Sequence, residues 1–257
     1  MDFLRRLHPL TLALAVTGAG PAVAHYGMII PSDTMVMQQD PRVLTLRLGF
    51  AHPFEQRGME LVTPKAFRVY GPKGEVDLLP TLQAADHLGA PGFSANYDVA
   101  VPGLHVFYME PQPYWEPAED VFIIHHTKTY VAAFGAEEGW SDAQGLPTEI
   151  LPLSKPYGLY AGNVFQGQVL AGGQPVPHAE VEVEFFNEQG TATAPTDYMV
   201  TQTILADANG VFTYATPADG WWGFAALTKA DYQLPQEGVM KGVELGAVIW
   251  VHFEAWQ

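Results

Sequence analysis

The chain has 257 residues and no cysteine, which excludes disulfides, thiolate metal sites and a cysteine nucleophile. Its formal charge is −16, from 12 Lys and Arg against 28 Asp and Glu. Such a surface repels phosphate and argues against nucleic acid or anionic membrane as a partner. With 48% hydrophobic residues, 25 Gly and 21 Pro, the composition excludes a disordered chain and favours a compact β-rich one.

Residues 1–24 read as a secretory signal peptide. Arg5 and Arg6 precede an apolar run from Leu10 to Val16, and Ala22-Val23-Ala24 supplies a small-residue cleavage site. The run is far short of the ~20 residues that a bilayer span needs. An exported, soluble mature protein is therefore expected, at most peripheral to a membrane. Cleavage after Ala24 makes His25 the first residue, whereas cleavage after Ala22 leaves two residues ahead of it.

Beyond the leader, short strand-like runs alternate with Gly, Pro, Asn and Asp turns, and long amphipathic helices are absent. In "RVLTLRLGF" the alternation sets Leu44, Leu46, Leu48 and Phe50 on one face, with Val43, Thr45, Arg47 and Gly49 on the other. "KAFRVYGPKGEV" predicts a hairpin, and "ANYDVAVPGLHVFYMEP" two strands about a Pro-Gly corner. "DVFIIHHTKTYVAAF" predicts one long buried strand. "GLPTEILPLSKPYGLYAG" is Pro- and Gly-rich and reads as a connection between domains.

The pattern then restarts. "NVFQGQVLAGGQPVP" is a strand with a glycine turn. "AEVEVEFFN" is expected to send Val181, Val183 and Phe185 inward and Glu180, Glu182 and Glu184 outward. "LADANGVFTYATP" holds a turn and a strand, and "GWWGFAAL" and "GAVIWVHFEAW" close the set. The expected fold is all-β: two β-sandwich domains, over 25–152 and 157–257. The second is similar in phrasing to transthyretin-like or Ig-like modules.

Without cysteine, a transition-metal site must draw on imidazole, carboxylate, thioether or a free N-terminus. Of the nine histidines, His8 lies in the leader. As an N-terminal residue, His25 offers its amine and ring Nδ1 for a six-membered chelate, a nitrogen set suited to Ni(II) and Cu(II). His52, in "FAHPFE", ends a strand, where functional residues collect. His125 and His126 are adjacent on a strand and point to opposite faces, so one ion takes one of them. Glu55 is a candidate carboxylate near His52, and the neighbouring methionines are expected in the core. His105 and His252 fall inside strands, where a packing role is expected. No G-x-S-x-G, H-E-x-x-H or P-loop occurs. The acidic "PYWEPAED" reads as a Pro-rich loop, so no enzyme is expected.

Several phrases together resemble the NikK-like periplasmic components that accompany ATP-driven nickel/cobalt transport systems: "AHYGMIIPSDTMV", "FAHPFEQRGMEL", "PQPYWEPAEDVFIIHHTK" and "DANGVFTYATPADGWWGFAAL". The resemblance implies a periplasmic protein that captures Ni2+ or Co2+, or delivers it to the permease membrane subunits. It implies His25, His52 and His125 as ligands, with His126 and Glu55 as further candidates. An N-terminal histidine on a β-sandwich also resembles the histidine-brace Cu2+ sites of copper carriers and oxidative polysaccharide enzymes. A metal-free carbohydrate-binding or adhesion sandwich is the remaining alternative.

Overall fold

The computed structural model describes residues 24–256, so the expected leader lies outside the described residues except for Ala24. The chain is all-β. The first half contains β1 (Tyr26–Pro31), β2 (Met35–Val36), β3 (Val43–His52), β4 (Arg57–Met59), β5 (Ala66–Gly71), β6 (Gly74–Asp77), β7 (Gln83–His87), β8 (Ala90–Asp98), β9 (Gly103–Glu110), β10 (Tyr114–Glu116) and β11 (Val121–Ala133). The second contains β12 (Thr148–Pro152), β13 (Leu159–Tyr160), β14 (Val164–Ala171), β15 (Gln174–Pro175), β16 (Glu180–Phe185), β17 (Thr201–Leu205), β18 (Val211–Ala215), β19 (Gly220–Gln236) and β20 (Val239–Glu254).

These strands form three layers. A long central sheet runs β17-β16-β19-β20-β11-β9-β5-β6, and a smaller sheet covers each of its faces. The outer sheet β1-β3-β8-β7 packs Ile29, Leu44, Leu46, Leu48 and Phe50 onto Phe67, Val69, Phe107, Met109, Ile123 and Val131. The other outer sheet, β12-β14-β15 with β18, packs Ile150, Phe165, Val169 and Phe212 onto Val181, Val183, Phe224, Ile249 and Val251. Period-two alternation along the central strands supplies both cores: Val131 and Ala133 serve the first, and Tyr130 and Ala132 the second.

The two expected sandwiches therefore share one sheet. β11 of the first half pairs in parallel with β20 of the second over nine residues, from Val121–Gly242 to Thr129–Trp250. Each strand would otherwise present an open edge, and their pairing removes both. The stretch read as a linker contributes to the sheets too, because β12 pairs with β14 and β13 with β20. The predicted hairpins form as expected, β5 on β6 and β14 on β15, with Gly172 and Gly173 both in the left-handed region that favours glycine.

One face assignment is corrected. Glu180 is exposed, but Glu182 is half-buried and Glu184 is fully buried. β16 lies inside the central sheet between β17 and β19, and the N-terminal half covers the face its glutamates occupy.

Candidate metal-binding site

Strand register brings His25 and His52 together. Tyr26 lies opposite Ala51 in the β1–β3 ladder, so the residues one step further out, 25 and 52, are neighbours. Their ring centroids are 4.6 Å apart. His25 Nε2 lies 3.0 Å from Glu116 Oε2, and the other oxygen of Glu116 accepts the Ala118 amide at 2.9 Å. This ties Glu116 to the β10–β11 turn and fixes the orientation of the His25 ring, leaving its Nδ1 for other use. His52 is buried, and its Nδ1 lies 2.8 Å from the Ala24 carbonyl oxygen.

His125 occupies the same side of the central sheet. Phe50 touches both rings, stacked on His25 at 5.8 Å and edge-on to His125 at 5.9 Å. The Gly27 amide points at His125 Nδ1 from 3.4 Å, and His125 Nε2 is buried without a partner among the described residues. The ring lies over Gly246 of β20, where an added Cβ would come within 2.3 Å of Cδ2. Only a glycine opposite leaves space for it.

Burial lowers the ring pKa of His25 to about 4, with the nearby His52 adding to the effect and Glu116 opposing it. Burial, then His25 and His126, take His125 down to about 3. Both rings are neutral near pH 7, the form in which imidazole has a lone pair to give a metal.

His126 does not join this group. It lies on the opposite face, its Nδ1 2.8 Å from the Tyr108 hydroxyl and its ring stacked on Tyr108. Glu55 is exposed and makes no hydrogen bond to the histidines; the carboxylate that reaches His25 is Glu116. Glu116 was visible in the sequence within "PYWEPAED", but its role depends on β10 folding back on β11. The methionines do not gather either. Met28 is buried in the core with Sδ 3.4 Å from His87 Nε2, while Met37 is exposed. His105 packs between the Tyr97 hydroxyl and the Val101 carbonyl, as expected of a strand histidine. Among the described residues no three His, Asp or Glu side chains stand close enough to hold one bare ion.

The second half of the chain clamps the loop after His52. Buried Glu184 accepts the Phe54 amide at 2.9 Å and the Thr201 hydroxyl at 2.6 Å, while Asn187 donates to the Phe54 carbonyl. Burial is the main cause that raises the Glu184 carboxyl to about 8; its two hydrogen bonds pull the other way. The same face carries Glu182 and Glu244, both raised to about 7 by burial first and then by neighbouring carboxylates.

Residues 22–230 match the family described as a domain of unknown function, DUF4198, and the chain belongs to that family. No curated protein matches it significantly. Among solved structures it is similar to the D0-D1 domain of intimin, at 11% identity and a TM-score of 0.23, over 90% of this chain and all of that one. It is also similar to dimeric latent PorU from Porphyromonas gingivalis, at 7% identity and a TM-score of 0.25, over 90% of this chain but 20% of PorU. For domains A168-A170 of titin the figures are 9% and 0.21, over 88% of this chain and 68% of the titin fragment.

Proposed function

We propose that the chain is an exported nickel- or cobalt-binding protein that takes up the divalent ion in the periplasm and passes it to the membrane subunits of an ATP-driven permease. One observation carries the reading. The Ala24–His25 peptide bond, where the leader would be cut, lies inside the histidine cluster, and the Ala24 carbonyl occupies His52 Nδ1. Cleavage there removes that carbonyl and turns the His25 amide into an amine. It creates one nitrogen donor and releases another in a single step.

The ligand set is then the His25 amine and Nδ1 with His52, and with His125 deeper in the same pocket. The Glu116 hydrogen bond to His25 Nε2 fixes which ring nitrogen faces the ion, a common role for a carboxylate behind a metal-binding histidine. The acidic surface raises the local cation concentration.

The test is nickel titration of the mature chain beginning at His25 against a chain with one alanine added before it. The reading expects at least a tenfold loss of affinity in the extended chain with an unchanged thermal midpoint. Equal affinities would overturn it. Binding is also expected to weaken between pH 7.5 and 5, because protons compete for an amine of pKa about 7.7–8.0. Selective retention of Cu2+, with ascorbate oxidation, would move the assignment to the copper-brace class.

A further inference from the structure

The central sheet ends in two edge strands, β6 and β17, and they are built differently. β6 carries exposed Glu75 and Asp77, charges that keep a bare edge from pairing with another chain. In the smaller sheets, the end strand β7 carries Asp86 and β15 holds Pro175. β17, Thr-Gln-Thr-Ile-Leu, has no charge and no proline. It has no bulge either, since its register against β16 runs unbroken from Thr201–Glu184 to Leu205–Glu180. Among the described residues β16 is its only ladder partner, which leaves its other edge open.

The surroundings of this edge are neutral and apolar. The chain carries a charge of −16, yet residues 198–206 have none. β18 has none either, and its Tyr214 hydroxyl donates to Gln202 of β17 at 2.6 Å. Tyr198 is 92% exposed, Leu205 69% and Met199 51%. Tyr198 and Met199 precede the strand and Leu205 ends it, so exposed apolar side chains stand at both of its ends.

We propose that β17 pairs antiparallel with β17 of a second copy of this chain, about a two-fold axis at Thr203. The pairing is independent of the nickel reading. A closed dimer needs the same patch on both sides, and two identical edges meet that condition when they run antiparallel. The axis sets Thr203 against Thr203, Gln202 against Ile204 and Thr201 against Leu205. It also brings Tyr198 and Met199 of one copy to Leu205 of the other, at both ends of the ladder, so the exposed apolar residues cover one another.

Charge permits the contact here. Glu182 lies opposite Thr203 on β16, so the Glu182 residues of the two copies stand three strand spacings apart, about 14 Å. That exceeds the screening length of roughly 8 Å at physiological salt. The nearest charges along the chain, Asp197 and Asp207, lie outside the paired residues, and Asp207 turns its carboxylate onto the Asn209 and Val211 amides.

Sedimentation velocity of the mature chain without added metal tests this. The expected result is a monomer–dimer equilibrium with a Kd on the order of 10 µM, as suits a small interface. Thr203→Lys places two like charges on the axis and should weaken the dimer by about fivefold or more, with an unchanged thermal midpoint. Tyr198→Ser, outside the strand and without risk to folding, should weaken it severalfold. The chain has no cysteine, so Thr203→Cys supplies a single thiol. Under mild oxidation it should cross-link two copies at least tenfold faster than Val76→Cys on β6. A chain that stays monomeric at several hundred micromolar overturns the proposal. So does a dimer that both Thr203→Lys and Tyr198→Ser leave unchanged. Assembly beyond two copies, or cross-linking no faster at Thr203→Cys than at Val76→Cys, overturns the two-fold axis.

Discussion

β11 carries neighbouring polar residues onto two faces that treat them differently. Toward β12, Lys128 Nζ lies 2.7 Å from Glu149, both fully buried, and Glu149 also accepts the Gln144 and Gly145 amides. On that face His126 is closed by the Tyr108 hydroxyl. Toward β1, His125 keeps an unpartnered Nε2 beside a cavity, and the nearby glutamates are raised by burial and mutual repulsion. A buried polar group with all its partners is part of the structure. One left open beside a cavity is available to a ligand.

Substitutions on the closed face should cost stability, and those on the open face should change binding or its pH dependence. Lys128→Met has the largest expected effect. It strands the buried Glu149 carboxylate and should destabilise the fold by about 3–5 kcal/mol in urea denaturation. Adding Glu149→Leu should recover part of that loss, because the pair's desolvation disappears with its attraction while the Gln144 and Gly145 amides lose their acceptor.

Glu184→Gln comes next, with a sign that depends on pH. The folded-state pKa is raised to about 8, so between about pH 4.5 and 8 the folded chain holds a proton that the unfolded chain has released. Stability therefore falls as pH rises through that window. The amide variant avoids the loss. It should be more stable than the parent at pH 8.5, by about 4 kcal/mol in urea denaturation, and match it near pH 4.5. Equal differences at both pH values would show that Glu184 is not the group responsible.

Gly246→Ala acts on the site itself. The new Cβ meets the His125 ring well inside contact distance. The expected cost is about 1–3 kcal/mol, together with a severalfold loss of nickel affinity in the mature chain. A stability loss with unchanged nickel affinity would remove His125 from the ligand set. The smallest effect belongs to Glu55→Gln, an exposed position: within ~0.5 kcal/mol in stability and twofold in nickel affinity.

Much of the fold follows from local pattern. Leu44 to Phe50 alternate in the sequence and form one face of the core, and the Gly-Pro-Lys-Gly turn joins β5 to β6 as read. The long run through His125 and His126 is a buried strand with the two rings on opposite sides. The misreadings concern partners distant in sequence. Glu184 alternates with valines like an outward residue, yet its face is covered by a loop 130 residues earlier in the chain. The Pro- and Gly-rich stretch over 145–162 carries turn residues and still supplies two strands.

The sequence by itself determined the all-β class, the strand faces set by period-two alternation, and the histidines on which a site can be built. Each of these depends on residues a few positions apart. Only the tertiary structure decided that the two halves share a sheet, that His125 and not His126 faces His25 and His52, and that Glu116 rather than Glu55 reaches the cluster. Those outcomes depend on strand pairing between distant segments. Such pairing is governed by which edges meet and which faces are covered, and no short stretch of sequence encodes either.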